Sequence, residues 1–410
     1  MTTTLASVPQ GSVTSPRGFT AAAVHAGLKA DAAPDVALLV SATSCATAGV
    51  FTRNAVRAAP VLYDADLLSE RPGRVRAVAM NARVANACTG PAGLEAARAM
   101  AQAAEHAAAL PPRTALVLST GVIGVPLPLA LVTDGLRDAA GRLTPEGGVD
   151  AARAIMTTDT RPKHCAVRLE TPNGAITVGG IAKGAGMIHP DLATLLAVLT
   201  TDAVAEPATL APLLHRVADR SFNAISVDGD TSTNDTVLLL ANGAAGIDPA
   251  RDGALWTQFE EAVQQVARTL ALAIVEDGEG ATKLLEIHIV GGASERAARE
   301  VGRAIARSTL VKTALYGADP NWGRVLAAAG AAGVPLSVDR LALEVAEGDG
   351  WLTLASAGAT AHPDTVRARA VFQQKTIRLR LDLGIGRAEA VVWTCDLTPD
   401  YVRINADYTS

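Results

Sequence analysis

Aromatic side chains make up only 3% of the 410 residues, and the four cysteines, Cys45, Cys88, Cys165 and Cys395, stand far apart with no C-x-x-C pair. The shortage of rings leaves Ala, Val, Leu and Gly to fill the interior. The cysteine spacing supplies neither a disulfide framework nor a zinc-ligand set, so reduced thiols, as in a cytosolic protein, and no metal are expected. Basic charge is also short: 36 Lys and Arg face 41 Asp and Glu, a net charge of −5. Such a chain has no overall positive field for a phosphate backbone, and nucleic acid is not an expected partner. No window approaches the ~18 uninterrupted apolar residues of a membrane span. The opening MTTTLASVPQGSVTSPRGF lacks a basic start followed by an apolar run. No membrane contact and a cytoplasmic location are the expectation.

What is present is length and apolar content. At 49% apolar, and with domains of roughly 100–200 residues, the chain has room for two or three folding units. A loosely held start is expected through about Ser15. Asp35–Phe51 and Val75–Met80 read as buried strands. Leu94–Leu110 is a run of strong helix formers halted by Pro111 and Pro112, with His106 as a surface or packing residue. Thr114–Leu118 reads as a strand that runs into the small polar turn Ser119-Thr120-Gly121, and such strand ends often carry chemistry. Leu143–Gly148 is a loop before a short helix at Asp150–Ile155. The segment ITVGGIAKGAGMIHP is a strand feeding a Gly-rich stretch, and LATLLAVLTTDA reads as the next strand.

Further on, helices are expected at Glu206–Ala224, Leu255–Val275 and Glu295–Ser308. Strands are expected at Thr236–Leu240, Leu284–Val290, Leu341–Glu344, Thr376–Leu381 and Ala388–Trp393. The alternation lacks the even βαβ rhythm of a doubly wound sheet, which favours layered α+β architecture.

Motifs taken singly do not name a function. Lys183-Gly184-Ala185-Gly186 is not a phosphate loop, because its Lys precedes the glycines, and reads as a tight turn. Asp228–Asp235 has the acidity of a calcium loop without its Gly position or terminal Glu, and reads as a hydrogen-bonded loop. Asp277 and Glu279, in EDGEGATK, could do acid–base work but read more simply as a solvated turn. Asp319–Arg324 is turn chemistry anchored by Trp322.

Taken together, STGVIG at 119–124, IMTTDTRPK at 155–163, KGAGMIHPDLATLL at 183–196, EGATK at 279–283, DPNWGR at 319–324 and the ending NADYTS at 405–410 closely resemble the ornithine acetyltransferase family. The blocks run in order from about residue 18 to the last. The resemblance implies an αββα-type sandwich of the ornithine acetyltransferase and β-aminopeptidase kind. It also implies that the chain cuts itself at Ala193–Thr194, giving an α chain of residues 1–193 and a β chain of residues 194–410, assembled as two of each. Thr194 matches the family nucleophile. A Thr hydroxyl needs an adjacent base, and the α-amino group freed by cleavage, with a reference pKa of ~7.7–8.0, can be that base.

Thr120 and Gly121 match the oxyanion-stabilising pair. Thr157, Lys183, Thr194, Glu279, Asn405 and Ser410 match positions that hold substrate, Lys183 suiting an α-carboxylate and Glu279 an ammonium. The implied reaction moves acetyl from N2-acetylornithine to glutamate by ping-pong chemistry in arginine biosynthesis. No cofactor is implied, and acetyl-CoA is an alternative donor used by some members. Departures from the pattern are His189-Pro190-Asp191 ahead of the nucleophile, where His189 is read as structural, and Arg83 within Asn81–Cys88. These departures keep open, as an alternative, a paralogue with another acyl-amino-acid substrate in secondary metabolism. A further alternative is an amidohydrolase or aminopeptidase of the related class.

Overall fold

A computed structural model describes residues 5–189 and 195–407. The chain runs through β1 (Leu5–Ser7), β2 (Phe19–Val24), the long β3 (Val36–Phe51), α1 (Ala59–Glu70), β4 (Val75–Asn81), α2 (Gly90–Ala107), β5 (Ala115–Ser119), α3 (Leu129–Ala140) and α4 (Gly148–Ala154). Next come β6 (Lys163–Thr171), β7 (Gly174–Lys183), β8 (Leu196–Thr201), α5 (Pro207–Asp219), β9 (Ile225–Ser226), β10 (Thr236–Ala241) and α6 (Gly253–Glu276). The remainder holds β11 (Leu284–Gly292), α7 (Glu295–Ala306), α8 (Thr309–Tyr316), α9 (Trp322–Gly330), β12 (Ala342–Glu347), β13 (Gly350–Ser356), β14 (Ala359–Thr360), α10 (Thr365–Phe372), β15 (Thr376–Asp382), β16 (Ala388–Cys395) and α11 (Pro399–Asp407).

The expected four-layer sandwich is present, and β3 belongs to both of its sheets. Its first half, Val36–Val40, pairs with β2 and β4, while Ala46–Phe51 pairs with β10. The register shift between Val40 and Cys45 marks the change of layer. Because side chains alternate along a strand, each strand feeds two cores. Leu196 and Val198 of β8 meet Val78, Met80 and Leu118 between the sheets, whereas Ala197 and Leu199 face α5 and α6. On the far side, Ala77, Ala79 and Val117 meet α2 and α3. Strands buried on both faces read as unbroken apolar runs, and β8 and β10 are buried at every position. Burying one such Leu or Val side chain stabilises the fold by roughly 1.5–3 kcal/mol.

A further, C-terminal sheet, ordered β14-β13-β12-β15-β11-β16-β9, has its own core with α7, α9 and α10. It joins the sandwich where β9 pairs with β16 and where Trp393 and Cys395 enter the core under α6.

Two expectations about the ends of elements are corrected. From Leu5 onward the start is not loose: β1 pairs with β6, Val13 is fully buried, and the Thr200 hydroxyl donates to the Val13 carbonyl at 2.6 Å. Local pattern gives no sign of this, because the sheet partner of β1 lies about 160 residues away in sequence. The helix expected to reach Leu110 ends at Ala107, because Ala109 takes a positive φ of 51° and the Leu110 N–H turns back to the Glu105 carbonyl at 2.8 Å, a helix-terminating turn.

Candidate active site

The turn after β5 is held by amide side chains. Asn81 accepts from the Ser119 hydroxyl at 2.7 Å and donates to the Ala82 and Val84 carbonyls. Asn234 donates to the Ala85 and Ser119 carbonyls at 2.6 and 2.9 Å. Gly121 has φ +131°, and a Cβ there would lie 2.1 Å from the Arg83 carbonyl carbon, so no other residue fits. Its N–H makes no hydrogen bond among the described residues, while the flanking Thr120 and Val122 amides are both bonded. A turn fixed on both sides with one amide free has the form of a preorganised donor.

Lys183, at the end of β7, is buried and donates to the Thr120 hydroxyl oxygen at 3.3 Å. That contact occupies a lone pair of the oxygen and leaves the Thr120 hydrogen available to donate elsewhere. Burial lowers the Lys183 pKa, with the Lys163 ammonium adding to the effect against the pull of Asp159, Glu279 and Asp235.

Beneath Lys183 lies an ion cluster. Lys163 binds Asp159 at 2.7 Å and Asp277 at 2.5 Å, all three side chains being almost wholly buried. Burial opposes the charge on Asp159, but Lys183, Lys163 and the Gly184 N–H outweigh it and hold its carboxyl at about 2.

Asp277 and Glu279 therefore do not form a solvated turn. Asp277 is 7% and Glu279 9% exposed, and the Glu279 amide is tied to the Ala185 carbonyl at 3.0 Å. The Gly-rich stretch makes this approach feasible: a Cβ on Gly186 would lie 2.5 Å from the Glu279 carboxylate. Asn405, on α11, donates to Glu279 at 2.6 Å. The C-terminal helix thus closes one wall of the cavity.

One cavity is lined by Thr120, Gly121, Thr157, Lys183, Glu279 and Asn405. Thr194, Ala193 and Ser410 lie outside the described residues. The next residue, Leu195, donates its N–H to Asp235 at 3.1 Å. The other Asp235 carboxyl oxygen is buried and has no hydrogen-bond partner among the described residues. Burial pushes the Asp235 carboxyl well above its ordinary range.

The ArgJ family profile matches residues 20–410. The arginine biosynthesis bifunctional protein ArgJ of Symbiobacterium thermophilum is 48% identical over 401 residues, covering 97% of this chain and 98% of that protein. Its namesake in Thermotoga neapolitana is 45% identical over 395 residues, covering 96% and 99%. The chain belongs to the ArgJ family. Among solved structures, ornithine acetyltransferase from Mycobacterium tuberculosis, complexed with ornithine, is 40% identical, with 48% of this chain and all of that chain covered and a TM-score of 0.42. As a member of the ArgJ family this chain is an acyltransferase-class enzyme, and its own strands and helices form the α+β sandwich.

The same geometry adds residues that sequence reading missed. Lys163, Asp159, Asn234 and Asp235 sit in stretches read only as polar segments or loops. Their one signal is that charged and amide residues cluster beside strand ends, which by itself does not separate a buried network from a wet turn. The loop at 228–235 is hydrogen-bonded as expected. Asp228 takes the Met187 and Ile188 amides, the latter at 2.9 Å, and so fixes the turn leading to His189, whose ring meets the Ser226 hydroxyl at 3.2 Å. Arg83 contributes to the turn through its backbone, packed under Gly121. Among the described residues no helix is long and apolar enough to cross a membrane.

Proposed function

We propose that this chain is a self-cleaving N-acetyltransferase that moves acetyl from N2-acetyl-L-ornithine to L-glutamate in arginine biosynthesis. Family membership supports the reaction class. The observation that carries the site is the convergence, on one cavity, of Thr120, Gly121, Thr157, Lys183, Glu279 and Asn405, drawn from positions 285 residues apart in the chain.

In this reading the Thr194 hydroxyl attacks the Ala193 carbonyl, the C–N bond breaks in an N-to-O shift that frees the Thr194 α-amino group, and water hydrolyses the resulting ester to leave the Ala193 carboxylate and the free Thr194 hydroxyl. The new amine takes the proton from the Thr194 hydroxyl as the hydroxyl attacks acetylornithine. The Thr120 O–H and Gly121 N–H stabilise the oxyanion, ornithine leaves, and glutamate attacks the acetyl-threonine ester. Glu279, positioned by Asn405, holds the substrate ammonium; Lys183 holds a carboxylate and, through its bond to Thr120, orients the oxyanion donor. Thr157 and Ser410 complete the grip on the substrate.

The α chain (1–193) and β chain (194–410) stay together because β7 and β8, on either side of the cut, are antiparallel neighbours in one sheet. Two pairs form the heterotetramer, in the cytoplasm. No cofactor takes part, and acetyl-CoA is an alternative donor.

The test is intact mass under denaturing conditions beside Thr194→Ala, followed by acetylornithine assays with and without glutamate. Two chains of 193 and 217 residues, a single uncut chain for the variant, and acetyl transfer that requires glutamate are expected. An uncut wild type without transfer, or acetyl release to water that glutamate does not alter, overturns the reading.

A further inference from the structure

At the seam between the sandwich and the C-terminal sheet lies a second cavity, of about 700 Å³, separate from the site above. Its walls come from the end of β3 with the loop that follows, from α5 and from α7. Clefts between folding units of this size commonly take small molecules, typically of ~300–1,000 Å³.

Five arginines line it, Arg53, Arg57, Arg296, Arg299 and Arg303, against two carboxylates, Asp219 and Glu300. The surplus of positive charge is notable in a chain of net charge −5. Arg296, Arg299 and Arg303 follow one another at spacings of three and four on α7, which puts them on one helix face. The two carboxylates are already engaged: Arg299 binds Asp219 at 3.2 Å, and Arg303 binds Glu300 at 3.2 Å. Arg53, Arg57 and Arg296 make no side-chain hydrogen bond or ion pair with any described residue. Gathering guanidinium groups around a cleft costs repulsion that a bound anion relieves. Their planar forks match phosphate oxygens in pairs.

From this arrangement we infer that the seam cavity binds a small molecule carrying a diphosphate group, with Arg53, Arg57 and Arg296 as its primary contacts. A diphosphate matches both the charge surplus and the approach of guanidiniums from two separate elements. The cavity is also wired to the first site. Thr52, next to Arg53, donates its N–H to the Asp235 carbonyl at 3.0 Å and its hydroxyl to the Ser232 carbonyl at 2.8 Å. Past Arg57, the Ala58 N–H donates to the Thr233 carbonyl at 2.9 Å. The loop that carries two of the free arginines is therefore bonded at both ends to residues 232–235, three of which line the catalytic cavity.

The test is isothermal titration of the full-length protein with inorganic pyrophosphate, ADP and citrate at one ionic strength. It uses wild type, the double variant Arg57→Gln/Arg296→Gln, and Arg369→Gln as a control of equal charge change per site on α10. The substituted arginines are exposed, so the fold is kept. Saturable binding of pyrophosphate or ADP at one site per 410 residues, weakened at least tenfold in the double variant and unchanged in Arg369→Gln, is the expected result. Tighter ADP than pyrophosphate binding assigns a nucleoside diphosphate, and equal binding assigns the diphosphate alone. Absence of saturable binding, binding that survives in the double variant, or citrate bound as tightly as pyrophosphate overturns the inference.

Discussion

In the C-terminal sheet, strands such as β15, with sequence TIRLRLD, alternate buried and more exposed positions, and the inner face of β15, Ile377, Leu379 and Leu381, is aliphatic. In the sandwich, β8 and β10 are buried throughout, and beside them lie Asp159, Lys163, Lys183, Asn234, Asp235, Asp277 and Glu279, all buried. Beyond Leu284 the buried polar side chains among the described residues are Lys312, Thr394, Asp396 and Thr398. These lie along β16 and its exit toward the sandwich, where Lys312 donates to Thr394 at 3.0 Å and Asp396 accepts from Thr282 and Lys283. Burying a charge is costly unless it is paired and hydrogen-bonded. The C-terminal sheet confines that cost to β16 and its exit, and the sandwich accepts it around the candidate site.

The contrast can be broken most directly at the ion cluster. Lys163→Met leaves Asp159 and Asp277 without their shared cation and should cost about 3–5 kcal/mol in urea unfolding. A loss below that of an aliphatic truncation would contradict the view that the cluster holds the site floor. The cluster also has a pH signature. The Asp159 carboxyl is held at about 2, below the ~3.9 of an unfolded Asp, so its contribution is present above the unfolded value and disappears as pH falls through the folded one. Unfolding free energies measured between pH 4 and 2 should fall more steeply in wild type than in Asp159→Asn; parallel slopes would remove Asp159 from the balance.

In the other layer, Leu379→Ala, at a position 1% exposed, should cost roughly 2–5 kcal/mol with kcat per folded molecule retained. A matching fall in kcat would show that the two layers are not separable. Thr120→Ala should do the reverse, lowering kcat by about 10²–10³, equivalent to ~2.7–4 kcal/mol, with Tm little changed. An unaltered rate would remove its hydroxyl from the oxyanion site. The smallest effect belongs to the sandwich surface, where Arg168 and Glu170 pair at 2.6 Å with both side chains over half exposed. Arg168→Gln should change stability by less than about 1 kcal/mol, and a larger loss would show that surface ion pairs matter here as much as the buried cluster.

Much of this was legible in the sequence because it depends on local pattern. The runs at Val36–Phe51, Val75–Asn81 and Thr236–Ala241 are strands in the structure, and α6 and α7 fall within two residues of their expected ends. The site residues were legible only through the ordered blocks they share with a family. Residue chemistry alone reads Asp277 and Glu279 as a wet turn, because nothing local reveals that α11 and the Gly-rich stretch fold over them. Lys163 shows the same limit: a Lys after a Pro at a strand start gives no sign that two carboxylates, one of them 114 residues away, will enclose it.

The sequence by itself determined the strands, the helices and the small-aliphatic core, since side-chain alternation, helix propensity and apolar runs act over a few residues. Only the tertiary structure decided that β3 joins both sheets, that residues from Thr120 to Asn405 share one cavity, and that arginines from a loop and a distant helix face one cleft. Those outcomes depend on which surfaces meet across long stretches of chain, and desolvation, ion pairing and close backbone approach are fixed only once they have met.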